Sequence, residues 1–277
     1  IQPGARILAL SAGAETPAQV AEILDARGFG PSHLAVLEHL GGPAERIVTG
    51  TAADWDPGPL ADLNVLAVTA VPGPEAQVLA TTPGLPDDAF RHDGQLTKRE
   101  VRAATLAALA PGPGQVLWDV GAGCGSVGIE WMRAARNARA VAVEPQQPRL
   151  GMIGENALAL GTPGLETVAG RAPEDLAGLD APDAVFVGGG VTTDGVLPAC
   201  WRALKTGGRL VANAVTLEGE AALLAWHGEH GGTLTRLQVS RAEPIGPYHG
   251  WRPLMAVTQL RAEKPRGADY RTEDRHI

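Results

Sequence analysis

The chain has 277 residues, 44% of them apolar, which is enough for one large or two ordinary domains with buried cores. A formal net charge of −8 argues against a broad nucleic-acid surface, which needs clustered cations, and no run approaches the ~18 apolar residues of a membrane span. Aromatic residues make up only 4%, whereas 36 glycines and 22 prolines suit turn-rich α/β layers packed with Ala, Leu and Val. Two cysteines, Cys124 and Cys200, give neither a disulfide framework nor a CxxC site, which fits a reducing cytoplasm. No signal peptide is visible, and the start at Ile1 without methionine reads as a processed or cloned boundary.

Residues 6–10 (RILAL) read as a strand, and Thr16-Pro17 supplies a cap and a first-turn proline for a helix ending near Arg27-Gly28. His33 to Leu40, a short extended piece at Glu45 to Val48, and Asn64 to Val71 complete residues 1–71, half a domain that should lean on something outside itself. Prolines and glycines make residues 72–86 a linker. Thr97 and Glu100, three apart, predict a capping box and a helix from about Lys98 to Pro111.

Next comes QVLWDVGAGCGSVGIE, Gln115 to Glu130. An apolar run, Val116 to Val120 broken by Asp119, leads into glycines at 121, 123 and 125 and then a helix start, so bare backbone and unpaired N–H groups await an anionic group. The dinucleotide fingerprint wants glycine at the sixth position, where this chain has Ser126. Glu144, closing the apolar run Ala140 to Val143, is placed to take two ribose hydroxyls. Helix (Val127 to Asn137), strand (Arg139 to Glu144), helix (Pro148 to Leu160), strand (Glu166 to Ala169), short helix (Pro173 to Ala177), strand (Ala184 to Val187), helix (Asp194 to Leu204) and strand (Arg209 to Val215) then alternate, as in a parallel sheet. A helix (Glu218 to His230) and two extended runs, Thr233 to Ser240 and Pro253 to Leu260, end the pattern as an antiparallel pair, the seven-stranded layout of methyltransferases. Residues 264–277 are charged and unpatterned and read as a disordered tail. His227 and His230 lack a third ligand at metal spacing, and Ser126 lacks a partnered His and Asp, so neither a metal site nor a hydrolase is indicated.

DDAFRHDGQLTKREVR (87–102), WDVGAGCGSVGIEW (118–131), GRAPEDL (170–176), VFVGGG (185–190) and LKTGGRLVANAVTLE (204–218) together resemble the decarboxylating precorrin-6Y methyltransferases of cobalamin biosynthesis. Residues 6–71 look like the second half of the tetrapyrrole methylase domain that precedes the methyltransferase in bifunctional members. The resemblance implies a Rossmann-like class I S-adenosylmethionine (SAM)-dependent methyltransferase over 87–263, with S-adenosylhomocysteine as product. It implies methylation of a precorrin at carbon 15 and loss of carbon dioxide from the acetate on carbon 12, with carbon 5 methylation needing the first half of the front domain. A homo-oligomer, often a tetramer, also follows from the family.

On this resemblance Gly121, Gly123 and Gly125 approach the methionine part of the cofactor, Glu144 the ribose, and Arg171-Ala172 the adenine side, while Gly188 and Thr97 border the donor. Gly189 and Gly190 face the substrate, and Arg91, His92 and Lys98, on a segment that the family uses as a lid, meet tetrapyrrole carboxylates. Thr97, Lys98 and Asn213 are the positioning candidates, with no catalytic acid or base singled out. The alternative is an RNA methyltransferase of the same cofactor fold, which a basic groove would favour. A third reading makes residues 1–71 a non-catalytic docking module.

Overall fold

In the computed structural model, which describes residues 1–266, the chain divides between Ala80 and Thr81 into two units. The first holds β1 (Arg6–Leu10), α1 (Thr16–Ala26), β2 (His33–Glu38), β3 (Arg46–Thr51) and β4 (Asn64–Thr69). The strand order is β1-β4-β2-β3 and every pairing is antiparallel. Alternate residues of β2 and β4 (Leu34, Val36, Leu66, Val68) bury against Ala21 and Leu24 of α1, the period-2 pattern of a sheet with one covered face. The short extended piece expected at Glu45 to Val48 reaches Thr51 because all six residues of β3 pair with β2. Glu38, buried at the end of β2, accepts from the Arg46 guanidinium and from Ala61 N, and these bonds hold its carboxyl down at about 2.

The second unit contains α2 (Arg99–Leu109), β5 (Val116–Val120), α3 (Ser126–Ala134), β6 (Arg139–Val143), α4 (Gln147–Ala159), β7 (Glu166–Val168), β8 (Ala184–Val187), α5 (Val196–Ala203), β9 (Arg209–Ala214), α6 (Leu217–His230), β10 (Thr233–Leu237), β11 (Ser240–Ile245), β12 (Tyr248–Pro253) and β13 (Val257–Glu263). Seven strands form one sheet in the order β10-β13-β9-β8-β5-β6-β7. The five from β9 to β7 are parallel, and β13 runs antiparallel to both β9 and β10. All residues of β5 and β8 are buried, as strands covered on both faces require. Trp118, Val120, Val185 and Val187 pack under α5 and α6 through Cys200, Leu223 and Trp226. Leu117, Ala140 and Phe186 point the other way, to Leu106, Leu109, Val127 and Trp131 of α2 and α3.

Local expectations change in the folded chain for tertiary reasons. The capping box is not made: Lys98 is the N-cap of α2, without a side-chain cap bond. Asp87 supplies the missing acceptor to Arg99 N at 2.8 Å, and Glu100 turns instead to Arg241 at 2.7 Å. Between the two runs expected to pair, the chain folds into the β11–β12 hairpin, with Ile245, Tyr248 and Trp251 exposed. Of the tail expected from 264 onward, Lys264 is fixed, its ammonium donating to the carbonyls of Trp201, Arg202 and Leu204 at the end of α5; residues 267–277 lie outside those described.

One buried ion pair ties the segment before α2 to the sheet domain. Arg102, with no exposed surface, donates through Nε to Glu130 of α3 at 2.6 Å and through its other nitrogens to Asp87 and to the carbonyls of Leu85 and Thr97. Glu130 also accepts from the N–H groups of Gly84 and Leu85. Six hydrogen bonds thus satisfy two charges that would otherwise be desolvated without partners. Replacing Arg102 by Met strands the Glu130 carboxylate, and the expected cost is about 3–5 kcal/mol in a denaturant titration; a loss below 1 kcal/mol would mean that the pair contributes little to folding.

Candidate functional site

The carboxyl ends of β5, β6, β8 and β9 open into a cavity of about 790 Å³. Its floor is the turn after β5. Gly121 has φ +70°, and a Cβ there would lie 2.7 Å from Gly189 Cα, so the backbones after β5 and β8 touch with no room for a side chain on the first. Ala122, Gly123 and Cys124 continue the lining, and Gly125, in the left-handed region at φ +80°, turns the chain into α3.

Glu144 stands at the end of β6, 2% exposed. Its Oε2 accepts from Gly123 N at 2.9 Å and its Oε1 from Gln146 N at 3.0 Å. Each carboxylate oxygen has two lone pairs, so both keep acceptor capacity for a pair of hydroxyls in the cavity. Beneath the turn, Asp119 is 1% exposed; its Oδ2 accepts from Gly128 N at 2.9 Å and its Oδ1 has no partner. Burial pushes this carboxyl up to about 7, opposed by the Gly128 bond and helped by the charge of Glu144.

Of the residues singled out in the sequence, Thr97, Lys98, Gly121, Gly123, Glu144, Arg171, Ala172, Gly188, Gly189, Gly190 and Asn213 all line the cavity. Gly125 does not, and lies instead where a Cβ would sit 3.1 Å from Ile153. Arg91 and His92 are not among the lining residues either. Arg91 pairs with Glu155, its backbone N–H donates to Asn156 Oδ1 and its carbonyl accepts from Asn156 Nδ2, and His92 Nδ1 accepts from Gly94 N. That segment meets the cavity further on, through Gly94 to Lys98.

Asn213 sits within β9 rather than at its end, its amide fixed by donation to Thr105 Oγ1 at 2.9 Å and by acceptance from Gln259 Nε2 at 2.9 Å. Sequence reasoning missed Arg149, which lines the cavity while paired with Asp93, and the apolar wall of Leu254, Met255 and Val257. Arg149, in the first turn of the helix after Glu144, was within reach of a helix-start reading; the apolar wall depends on the hairpin, for which no turn signal stood out.

A parallel sheet that closes with a reversed strand, β13, between β9 and β10 is foreign to dinucleotide-binding domains. With a carboxylate ready for hydroxyls beside the glycine turn, it defines a class I SAM-dependent methyltransferase. Comparison with known proteins narrows this: residues 88–264 match the family model described as precorrin methyltransferase domain, and the chain belongs to that family. A Sinorhizobium protein named precorrin-6Y C(5,15)-methyltransferase (decarboxylating) is 51% identical over 259 residues, 94% of this chain and 63% of that protein. The chain therefore spans a little under two thirds of this relative's length. A Salmonella typhimurium protein named cobalt-precorrin-6B C(15)-methyltransferase (decarboxylating) is 32% identical over 174 residues, 61% of this chain and 89% of that protein. The crystal structure of the C-terminal domain of precorrin-6Y C5,15-methyltransferase from Rhodobacter capsulatus, 44% identical, covers 67% of this chain and all of its own, with a TM-score of 0.63.

The cavity residues fit S-adenosylmethionine: the bare Gly121–Gly123 turn admits close approach, and Glu144 offers a braced acceptor pair. Glu144→Ala is expected to weaken SAM binding ten- to a hundredfold, about 1.5–3 kcal/mol, with Glu144→Gln in between; an unchanged dissociation constant by calorimetry would remove the acid from the ribose.

Asp119 gives a second expectation. Its folded value near 7 lies above the 3.8 of an unperturbed carboxyl, so between those limits the native state holds a proton that the unfolded chain has lost. Stability from this group is therefore present at pH 4 and falls as pH rises toward 7, by at most about 1.4 kcal/mol per pH unit. Asp119→Asn abolishes the titration, so the stability of the wild type relative to the variant should decline between pH 4.5 and 7.5 in denaturant titrations, and a pH-independent difference would contradict the assignment.

Proposed function

We propose that the second unit methylates a precorrin tetrapyrrole at carbon 15 from SAM and removes carbon dioxide from the acetate on carbon 12, in cobalamin biosynthesis. The observation that carries this reading is the match to a Salmonella relative named for carbon 15 and decarboxylation, over 89% of that relative's length. The cavity supports it chemically. Lys98, Arg149 and Arg171 line it, cations suited to a polycarboxylate, and Leu254, Met255 and Val257 add an apolar wall for a macrocycle.

When bound, the cofactor supplies an electrophilic methyl on a sulfonium. The protein's part is mostly to hold the two reactants in register. Glu144 and the N–H groups of the glycine turn would fix the donor, with Gly188, Thr97 and the Arg171-Ala172 turn bordering it. Gly189 and Gly190 leave space for the substrate beside it, and the Asn213 amide, fixed by Thr105 and Gln259, keeps one wall rigid. In this reading Arg91 and His92 act from outside the cavity, as anchors of the segment or as contacts to peripheral carboxylates.

Residues 1–71 we read as the second half of a tetrapyrrole methylase domain, followed by a linker over 72–86, and we assign them no carbon 5 chemistry of their own. The protein is further proposed to work in the cytoplasm as a homo-oligomer, supported by two free buried cysteines and by the exposed Tyr248 and Trp251 of the hairpin, with light scattering as the check. Mass spectrometry of the tetrapyrrole product tests the chemistry. Gain of one methyl with loss of carbon dioxide is expected, retention of the carboxyl would refute the decarboxylase assignment, and two added methyls would bring carbon 5 back to this chain.

A further inference from the structure

Resting on that reading, loss of carbon dioxide requires more than positioning, because the carbon left behind must receive a proton. The bond between the acetate methylene and its carboxyl carbon breaks, and its electron pair passes into the conjugated ring. The pair then returns to the methylene carbon as a new C–H bond, converting the acetate to a methyl group. A proton donor must reach that carbon.

The titratable residues lining the cavity are Lys98, Cys124, Glu144, Arg149, Arg171 and Glu174. Arginine does not release a proton in water-accessible sites. Glu144 is engaged by two backbone N–H groups and assigned to the ribose. Glu174 is exposed on the turn after β7, beside the Arg171-Ala172 pair assigned to adenine. Cys124, 2% exposed in the glycine turn, would leave a desolvated thiolate behind. Lys98 remains: among the described residues its ammonium has no hydrogen-bond or ion-pair partner, and giving up a proton leaves a neutral amine. Its backbone is held at the N-cap of α2, next to the Thr97 carbonyl that Arg102 grips, so the residue is rigid at its base and free at its tip.

We propose that Lys98 is the general acid that protonates the decarboxylated carbon, its amine then regaining a proton from water. The ammonium that meets the substrate thereby acquires a catalytic role as well as an electrostatic one.

The test compares wild type, Lys98→Met, Lys98→Arg and Lys98→Ala, following methyl transfer from labelled SAM and carbon dioxide release separately. Arginine keeps the charge but cannot pass on a proton. General acid catalysis typically contributes 10²- to 10⁴-fold, so Met, Arg and Ala variants should all release carbon dioxide at least a hundredfold more slowly, with SAM affinity unchanged. Added methylamine should partly restore release in Lys98→Ala, a rescue that a purely structural lysine would not show. Near-normal release in Lys98→Met, full recovery in Lys98→Arg, or no rescue by methylamine would each overturn the proposal. A wild type that neither methylates nor decarboxylates a precorrin would instead remove the functional reading, and the inference with it.

Discussion

The site depends on a contact between two stretches of backbone. Where the chain leaves β5 and where it leaves β8, Gly121 and Gly189 meet so closely that a methyl group on the first would sit 2.7 Å from the Cα of the second. The two strands are hydrogen-bonded neighbours, so their ends must separate above the sheet to make a crevice; here the separation starts immediately beyond the glycine contact. The cavity floor is therefore main chain, and the neighbouring carboxylate of Glu144 can brace Gly123 N while still facing inward. Cofactor geometry thus rests on peptide groups whose positions the buried sheet dictates.

Much of this was legible in the residues themselves. The runs that became β5, β6 and β8 are short and largely apolar, with Asp119 the one charge inside β5, because parallel strands have no wet face, and Glu144 marked the end of β6 by being the first charge after it. What sequence spacing misjudged was governed by residues distant in the chain. Thr97 and Glu100 have the right separation for a local cap, yet Asp87 and Arg241, 12 residues before Arg99 and 141 after Glu100, take over both bonds. Arg91 and His92 looked like substrate cations because their segment is basic, but their polar atoms are engaged with Glu155, Asn156 and Gly94. The β11–β12 hairpin, turning at Gly246-Pro247, was hidden because its two strands fall between and within runs read as one antiparallel pair, Thr233 to Ser240 with Pro253 to Leu260.

Charge is distributed by function rather than by the total. A chain of net charge −8 still places Lys98, Arg149 and Arg171 around one opening, while Asp119 under the floor is raised toward neutrality by its surroundings. A full second anion beneath the glycine turn would repel the Glu144 carboxylate. A carboxyl that holds its proton up to about 7 instead gives the helix a hydrogen-bond acceptor with little field.

The Arg102 clamp has a consequence for how the cavity opens. Its bonds join Leu85, Asp87, Thr97 and Glu130, so the wall from Gly94 to Lys98 is anchored at one end to the centre of the domain. In hydrogen-exchange terms the amides of Gly84, Leu85 and Arg99 belong to a single cooperative unit whose opening has to break a buried ion pair, a sub-global rather than a fraying event. The opposite wall, Leu254 and Met255, follows a hairpin that Arg241 of β11 ties to Asp87 and Glu100, so both walls are moored to the same Asp87 carboxylate, one through Arg102 and the other through Arg241.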